Sequence, residues 1–219
     1  MSMVAHELRT PLNTLFLETQ MRTLQLKRGT LASINPDQFE TMIRRDERQI
    51  KSMIRLIDDM LDVSRMRSGK LSIRPTQVQL MSLLERIVSD LSLQAATTGS
   101  SLTLQPHDPV SGCWDEFRVE QVIVNLLTNA LRYGGGQPVQ VSVEQMGECV
   151  RIDVRDGGKG IAPGDLERIF EPYVQVGRKK GGAGLGLALC KEIVQLHGGR
   201  MGVYSRPGQG TQFYMALTV

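Results

Sequence analysis

Between residue 4 and about residue 67 the apolar positions keep a helical period that is interrupted once. Val4, Leu8, Leu12 and Leu15, with Thr19 and then Leu24 and Leu26, mark a first helix. Lys27-Arg28-Gly29 and Asn35-Pro36 break it. In the next segment Ile43, Ile50 and Ile57 recur every seven residues, offset from Phe39, Met53 and Met60, which also lie on sevens. This is an a/d seam, spoiled where Asp46 takes a seam position. Two long helices on a short connection make a hairpin with little of its own to pack against. A second copy completing a four-helix bundle is the expected solution, and docking on the rest of the same chain is the alternative.

The pattern changes at Ser68-Gly69-Lys70 and Arg74-Pro75, so a boundary is expected at about residues 70–75, between a helical segment 1–70 and a second domain 75–219. Residues 78–95 carry Leu80, Leu83, Leu84, Ile87, Val88 and Leu91 at helical spacing. Residues 115–132 and 185–197 read as two further helices, the second ended by Gly198-Gly199. Leu102 and Leu104 alternate briefly. Val139, Val141, Val143 and Val150, Ile152, Val154 alternate on either side of Met146-Gly147-Glu148, a hairpin signal. Phe213, Met215, Leu217 and Val219 alternate after the turn at 207–210. Strands with helices between them predict a two-layer α/β sandwich.

Composition changes this picture little. Hydrophobic residues make up 41% of the 219 and charged ones 22%, enough apolar material for a core. Lys and Arg outnumber Asp and Glu by 13 to 9 up to residue 74 and stand at 13 to 14 beyond it, so neither half has the basic footprint of a nucleic-acid binder. Cys113, Cys149 and Cys190 are dispersed and odd in number, so no disulfide framework or zinc spacing follows, and a reducing cytoplasm is the expected setting. No apolar run approaches the ~18 residues of a membrane span, and no signal peptide is evident. The expectation is a soluble cytoplasmic fragment, tied to an inner membrane only through upstream regions if at all.

Four clusters in the second half carry candidate chemistry. Asn125 and Asn129 lie four apart on one helix face, and Arg132 shares it. An amide oxygen can ligate Mg²⁺, and buried amides among Val122, Ile123, Leu126 and Leu127 would need partners. Asp156-Gly157-Gly158-Lys159-Gly160 follows a strand, where a carboxylate can accept from an exocyclic amine and glycines admit a ligand close to the backbone. Gly181-Gly182-Ala183-Gly184-Leu185-Gly186 opens a helix, whose N-terminal N–H groups favour phosphate. The basic stretch 175–180 before it, with Arg178, Lys179 and Lys180, reads as a lid. Neither the P-loop nor the dinucleotide fingerprint fits these glycines. Gly208-Gln209-Gly210-Thr211 is a turn into the last strand. Each cluster alone has an ordinary structural reading as a polar helix face or a glycine turn.

In this order and spacing the four clusters resemble the N, G1, G2 and G3 boxes of the histidine kinase ATP-binding domain, related to that of gyrase and Hsp90. Phe170-Glu171-Pro172-Tyr173 resembles the intervening F box, and His6-Glu7-Leu8-Arg9-Thr10-Pro11-Leu12-Asn13 the H box of the preceding dimerisation and phosphotransfer domain. The resemblance covers essentially the whole chain. It implies an ATP-binding α/β sandwich of the Bergerat type behind a helical hairpin that is a four-helix bundle as a dimer. It further implies that His6 takes the γ-phosphoryl group of ATP and passes it to an aspartate of a response regulator receiver domain.

By the same resemblance Asn125 would ligate Mg²⁺, Asn129 would meet phosphate, and Arg132 and Tyr133 would line the phosphate and base region. Asp156 would hold the adenine amine, Gly158 and Gly160 would make room for the base, and Thr211 would sit behind it. Gly182, Gly184, Leu185 and Gly186, with Arg178 and Lys179 of the lid, would surround the phosphates. Three positions depart from the family pattern: Gly157 stands where an asparagine is common, Lys159 where a proline or small residue is common, and Ala5 where a serine commonly precedes the histidine. The lid is also short.

The chemistry of the H box follows from its residues. An imidazole with an ordinary pKa near ~6.5 is largely neutral at pH 7 and nucleophilic. When one ring nitrogen attacks phosphorus the proton on the other becomes acidic, and Glu7 is placed to orient the ring and accept it. Thr10, one helical turn on, would by resemblance orient a water for phosphatase activity on the regulator. Pro11 removes the hydrogen bond to the Glu7 carbonyl and is expected to bend the helix. His197 and His107 keep structural roles, His197 before Gly198-Gly199 where a partial positive charge suits a helix C-terminus. Two other readings are a catalytically weak dimeric ATP-binding module that regulates another kinase, and a Bergerat-type serine kinase. The intact His6, Glu7, Asn125 and Asp156 disfavour the first, and the hairpin the second. With five residues ahead of His6, the chain reads as a catalytic core from a larger protein.

Overall fold

A computed structural model describes residues 2–29, 35–176 and 183–219, with side chains from residue 8 onward. The chain forms two compact units, residues 1–64 with 179–183, and residues 65–178 with 184–219.

The first unit is built on α1 (Ser2–Lys27) and α2 (Pro36–Arg67), whose last turn belongs to the second unit. The break before α2 is a capping device. The Asn35 carboxamide accepts the Gln38 N–H at 2.8 Å, and the Gln38 side chain accepts the Asn35 N–H at 3.4 Å. Pro36 occupies the first helical position, where a missing N–H costs nothing. α1 continues through Pro11 instead of ending there.

Asp46, the polar residue in the α2 seam, is also accounted for. Arg22 of α1 grips it with both terminal guanidinium nitrogens, Nη2 donating to Oδ1 at 2.8 Å, while Glu18 receives Arg45 Nε at 2.8 Å. The hydrogen bond from Arg22 is the main cause that holds the Asp46 carboxyl below its ordinary range. The apolar stripe itself stays open, with Phe39, Ile43, Ile50 and Ile57 each 46–53% exposed.

The second unit is a sheet with helices on one face. Its strands are β1 (Thr76–Gln79), β2 (Leu102–Leu104), β3 (Ser111–Trp114), β4 (Val139–Met146), β5 (Cys149–Asp156), β6 (Arg200–Ser205) and β7 (Thr211–Thr218). Five of them form a mixed sheet in the order β2-β4-β5-β7-β6, parallel between β2 and β4 and antiparallel elsewhere, and β1 pairs with β3 alone. The alternation read from the sequence becomes rows across the sheet. Val141 pairs with Val154 and Val154 with Phe213, while Val143 pairs with Ile152 and Ile152 with Met215. One face of these strands is therefore continuously apolar.

α3 (Leu80–Thr97), α4 (Glu116–Tyr133) and α5 (Gly186–Leu196) supply the other half of the core through Leu84 and Ile87, Ile123 and Leu126, and Leu189 and Ile193. The expected helices and the expected hairpin are present. β1, β3 and β6 are additions that the sequence pattern does not announce. β3 ends in Trp114, whose indole N–H donates to the Thr218 carbonyl at 2.7 Å and ties the small sheet to the large one.

His197 corrects an expectation. It caps α5, but its Nε2 accepts the Asp115 N–H at 3.0 Å, so the proton sits on Nδ1, which donates to the Ile193 carbonyl at 2.8 Å. Both ring nitrogens are thus engaged, and the ring holds the helix end by hydrogen bonding.

Candidate active site

α4 is the spine of the site. Asp115 caps its start by accepting the Arg118 N–H at 3.1 Å, and its other carboxylate oxygen accepts the Arg74 N–H at 2.8 Å. Val122, Ile123, Leu126, Leu127, Ala130 and Leu131 are buried, which fixes the rotation of the helix. That rotation leaves Asn125 and Asn129 half-buried on the remaining face, and Asn129 Nδ2 donates to Asn125 Oδ1 at 3.1 Å. Each amide thus satisfies part of the other's demand.

Asn125 lies against the start of α5. A Cβ on Gly186 would stand 2.2 Å from Asn125 Nδ2 and 2.7 Å from its Oδ1, so the residue there must be glycine for the amide to keep its place. Leu185 precedes it as the N-cap and offers no side-chain cap; its side chain is core, 1% exposed. The first N–H groups of α5 are therefore not answered by a side-chain cap beside two carboxamides, an arrangement that suits phosphate oxygens. Gly184 has φ +67°, and its carbonyl accepts the Tyr173 N–H at 2.7 Å, which ties the approach to α5 to the segment after Phe170.

The other end of α4 meets the turn after β5. Asp156 is 6% exposed, and its Oδ1 accepts the Gly158 N–H at 2.8 Å. Burial raises its pKa above the ordinary carboxylate range, and hydrogen bonds from the Gly158 and Thr211 backbones oppose the rise. A Cβ on Gly158 would meet the Tyr133 carbonyl at 2.3 Å, so the turn lies directly on the last residue of α4. Gly160, at φ +69°, lies as closely on the Arg206 carbonyl.

Thr211 is buried and faces Ser205 at 2.9 Å. The Ser205 hydroxyl donates to the Gly210 carbonyl at 2.8 Å and accepts the Ile161 N–H at 2.9 Å. Ser205 is a residue that sequence reasoning missed. It ends β6, itself an unannounced strand, and its partners come from the loop after β5 and from around the start of β7.

From Asn125 to Tyr133 is eight residues of helix, about 12 Å along the axis. A buried acceptor stands at one end of that span, and carboxamides with a helix N-terminus at the other. The spacing suits a molecule with an amine-bearing base and a polyphosphate. Arg132 is exposed on the same helix. Asn125 Oδ1 keeps a second lone pair, and Mg²⁺ takes few protein ligands besides phosphate and water, so the residues present fit that ion.

The remaining sequence candidates lie elsewhere or outside the described residues. His6 and Glu7 are on α1, but their side chains are not among those described. Thr10 is exposed on α1, and its carbonyl accepts the Thr14 hydroxyl at 3.0 Å. Arg178, Lys179, Lys180, Gly181 and Gly182 fall outside the described residues. No helix is long and apolar enough to cross a membrane among the residues described.

Comparison with known proteins supplies the family. Residues 1–69 match the family model of the His Kinase A (phospho-acceptor) domain, and residues 114–219 that of the histidine kinase-, DNA gyrase B- and HSP90-like ATPase. The alginate biosynthesis sensor protein KinB of Pseudomonas aeruginosa is 41% identical over 218 residues, covering 98% of this chain and 36% of that protein. The adaptive-response sensory kinase SasA of Crocosphaera subtropica is 33% identical, covering 100% of this chain and 58% of that protein. The chain thus spans between about a third and three-fifths of these two relatives.

Among solved structures, full-length ShkA in complex with AMPPNP superposes with a TM-score of 0.69 at 26% identity, over 85% of this chain and 40% of that one. Acinetobacter baumannii AdeS shares the fold at a TM-score of 0.70 over 97% of both chains. Two matching domains in the order phospho-acceptor then ATPase make this chain a member of the sensor histidine kinase family of two-component signal transduction and the bearer of its catalytic core.

Proposed function

We propose that this chain binds ATP with Mg²⁺ between Asp156 and Asn125, phosphorylates itself on His6, and passes the phosphoryl group to an aspartate of a response regulator receiver domain. The observation that carries the reading is the pairing of a buried carboxylate at one end of α4 with the Asn125–Asn129–Gly186 contact at the other. Asp156 accepts the adenine amine, with Gly158, Gly160 and Thr211 shaping the space around the base. Asn129, Arg132 and the start of α5 receive the phosphates. Asn125 holds the Mg²⁺, which when bound neutralises phosphate charge. Tyr133 borders the base, and Arg178, Lys179, Gly182 and Gly184 belong to the lid.

In the transfer step a His6 ring nitrogen forms the N–P bond as the bond from the γ-phosphorus to the ADP oxygen breaks. Glu7 takes the proton released from the other ring nitrogen. Residues 1–70 act as the dimerisation and phosphotransfer domain and 75–219 as the catalytic domain. The open stripe of Phe39, Ile43, Ile50 and Ile57 supports a homodimer through the hairpin. Thr10 is assigned to phosphatase activity on the regulator.

The test is incubation with γ-labelled ATP and Mg²⁺ beside His6→Gln. Acid-labile, alkali-stable label that is absent from the variant is the expected result. Label that survives in His6→Gln assigns the phosphoacceptor elsewhere. ATP binding without label, with or without the regulator, favours a regulatory ATP-binding module.

A further inference from the structure

Lys159 is one of two positions, with Gly157, at which the glycine turn departs from the family pattern, and the fold gives it a partner. Its Nζ lies 5.8 Å from the centre of the Tyr133 ring, within the ~6 Å over which an aromatic face attracts a cation. Among the described residues its ammonium forms no ion pair. Both sides of the contact are held in place. The Lys159 carbonyl accepts the Gly208 N–H at 2.8 Å, and the flanking Gly158 and Gly160 are pressed on the Tyr133 and Arg206 carbonyls. Tyr133 is the last residue of α4 and half-buried. The contact therefore joins the turn that follows Asp156 to the helix that carries Asn125 and Asn129.

We propose that Lys159 is a positioning residue whose ammonium clasps the Tyr133 ring and presets it, before nucleotide arrives, as the border of the adenosine end of the site. The proposal rests on the ATP reading above. A proline or small residue at 159 could fill space but could not hold the ring by charge. The cation stands at the end of α4 remote from Asn125, about 12 Å along the axis. Its effect therefore falls on the base and ribose, and adenosine, ADP and ATP feel it alike. Lys159 is exposed, which limits the gain in affinity to roughly two- to five-fold.

The test uses the whole chain carrying Lys159→Met or Lys159→Arg, each also in a Tyr133→Leu background. Calorimetry with adenosine, ADP and ATP is paired with the Tyr133 ring-proton NMR signals of the nucleotide-free protein. Lys159→Met is expected to move the ring signals and to weaken all three ligands by the same roughly two- to five-fold. Lys159→Arg restores both, and in the Tyr133→Leu background Lys159→Met adds nothing. Ring signals that stay put overturn the clasp, as does an effect that survives in Tyr133→Leu. Weakening confined to ADP and ATP also overturns it, because it assigns the cation to phosphate. A wild-type chain that binds none of the three overturns the ATP reading and the clasp's role in it, and the ring signals tell that failure from the loss of the clasp itself.

Discussion

Asp156 has two demands on it that oppose each other. The fold buries it and raises its pKa, whereas recognition of an adenine amine needs the ionised, accepting form. A carboxyl whose folded pKa is raised stabilises the fold fully below its unfolded pKa, and that contribution is lost as pH rises through the folded value. At pH 7.5 the charge is thus a cost to stability. Asp156→Asn is expected to melt higher than wild type at pH 7.5, and the difference should shrink as the pH is lowered and Asp156 takes up its proton, which calorimetry checks. The same variant should bind ATP about 10–100-fold more weakly, the cost of losing a charge-assisted hydrogen bond. Wild-type ATP affinity should also fall with decreasing pH sooner than an ordinary carboxylate would dictate, since protonation turns the acceptor towards a donor. A melting temperature that drops in Asp156→Asn would show that the Gly158 and Thr211 hydrogen bonds outweigh desolvation.

At the scale of elements, the site is the meeting of α4 with the start of α5 and with the turn after β5. Gly186 is where this can be tested. Alanine is the better helix former by about 1 kcal/mol, so Gly186→Ala should leave α5 intact by circular dichroism. Its Cβ would nevertheless occupy the space of the Asn125 amide. The expected outcome is a normal fold, a displaced Asn125 side-chain NMR signal, and ATP–Mg²⁺ affinity lower by on the order of ten-fold, one good charged hydrogen bond. Unchanged affinity would mean that Asn125 has room to move and does not hold the ion.

For the whole molecule, the first unit presents an apolar seam that its own two helices do not cover. Ile50, 46% exposed, sits in the middle of it. The Arg22–Asp46 pair sets the register between α1 and α2 without closing that face. Light scattering should therefore find the wild-type chain dimeric. Ile50→Glu, which places a charge where two copies would meet, should yield a monomer with its ATP affinity intact, because Asn125, Asn129, Asp156 and Gly186 all belong to the second unit. A monomeric wild type would mean that the stripe serves a different partner.

Much of this was readable from the chain itself, for one physical reason: periodicity and local chemistry are local properties. The helices of 80–97 and 116–133 and the hairpin of 139–156 follow from side chains that alternate or repeat within a few residues. The candidates Asn125, Asp156 and Gly186 were visible as polar or glycine residues in apolar company. β6 was not visible, because it is an edge strand with Gly202 at its middle, beneath the Tyr214 ring, and has no clean alternation. β3 was hidden for a similar reason, being four residues around a glycine whose pairing with β1 spans the length of α3. Ser205 has no signal of its own, since its partners Ile161, Gly210 and Thr211 converge only when β6 and β7 pair. The hydrogen bonding of His197 likewise depends on Asp115, which lies 82 residues away in the chain. The sequence by itself determined which segments become helices and strands and which residues carry chemistry. Only the tertiary structure decided that Asn125 lies on Gly186, that Tyr133 lies on Gly158, and that Asp156 is buried, because packing alone brings together residues so far apart in the chain.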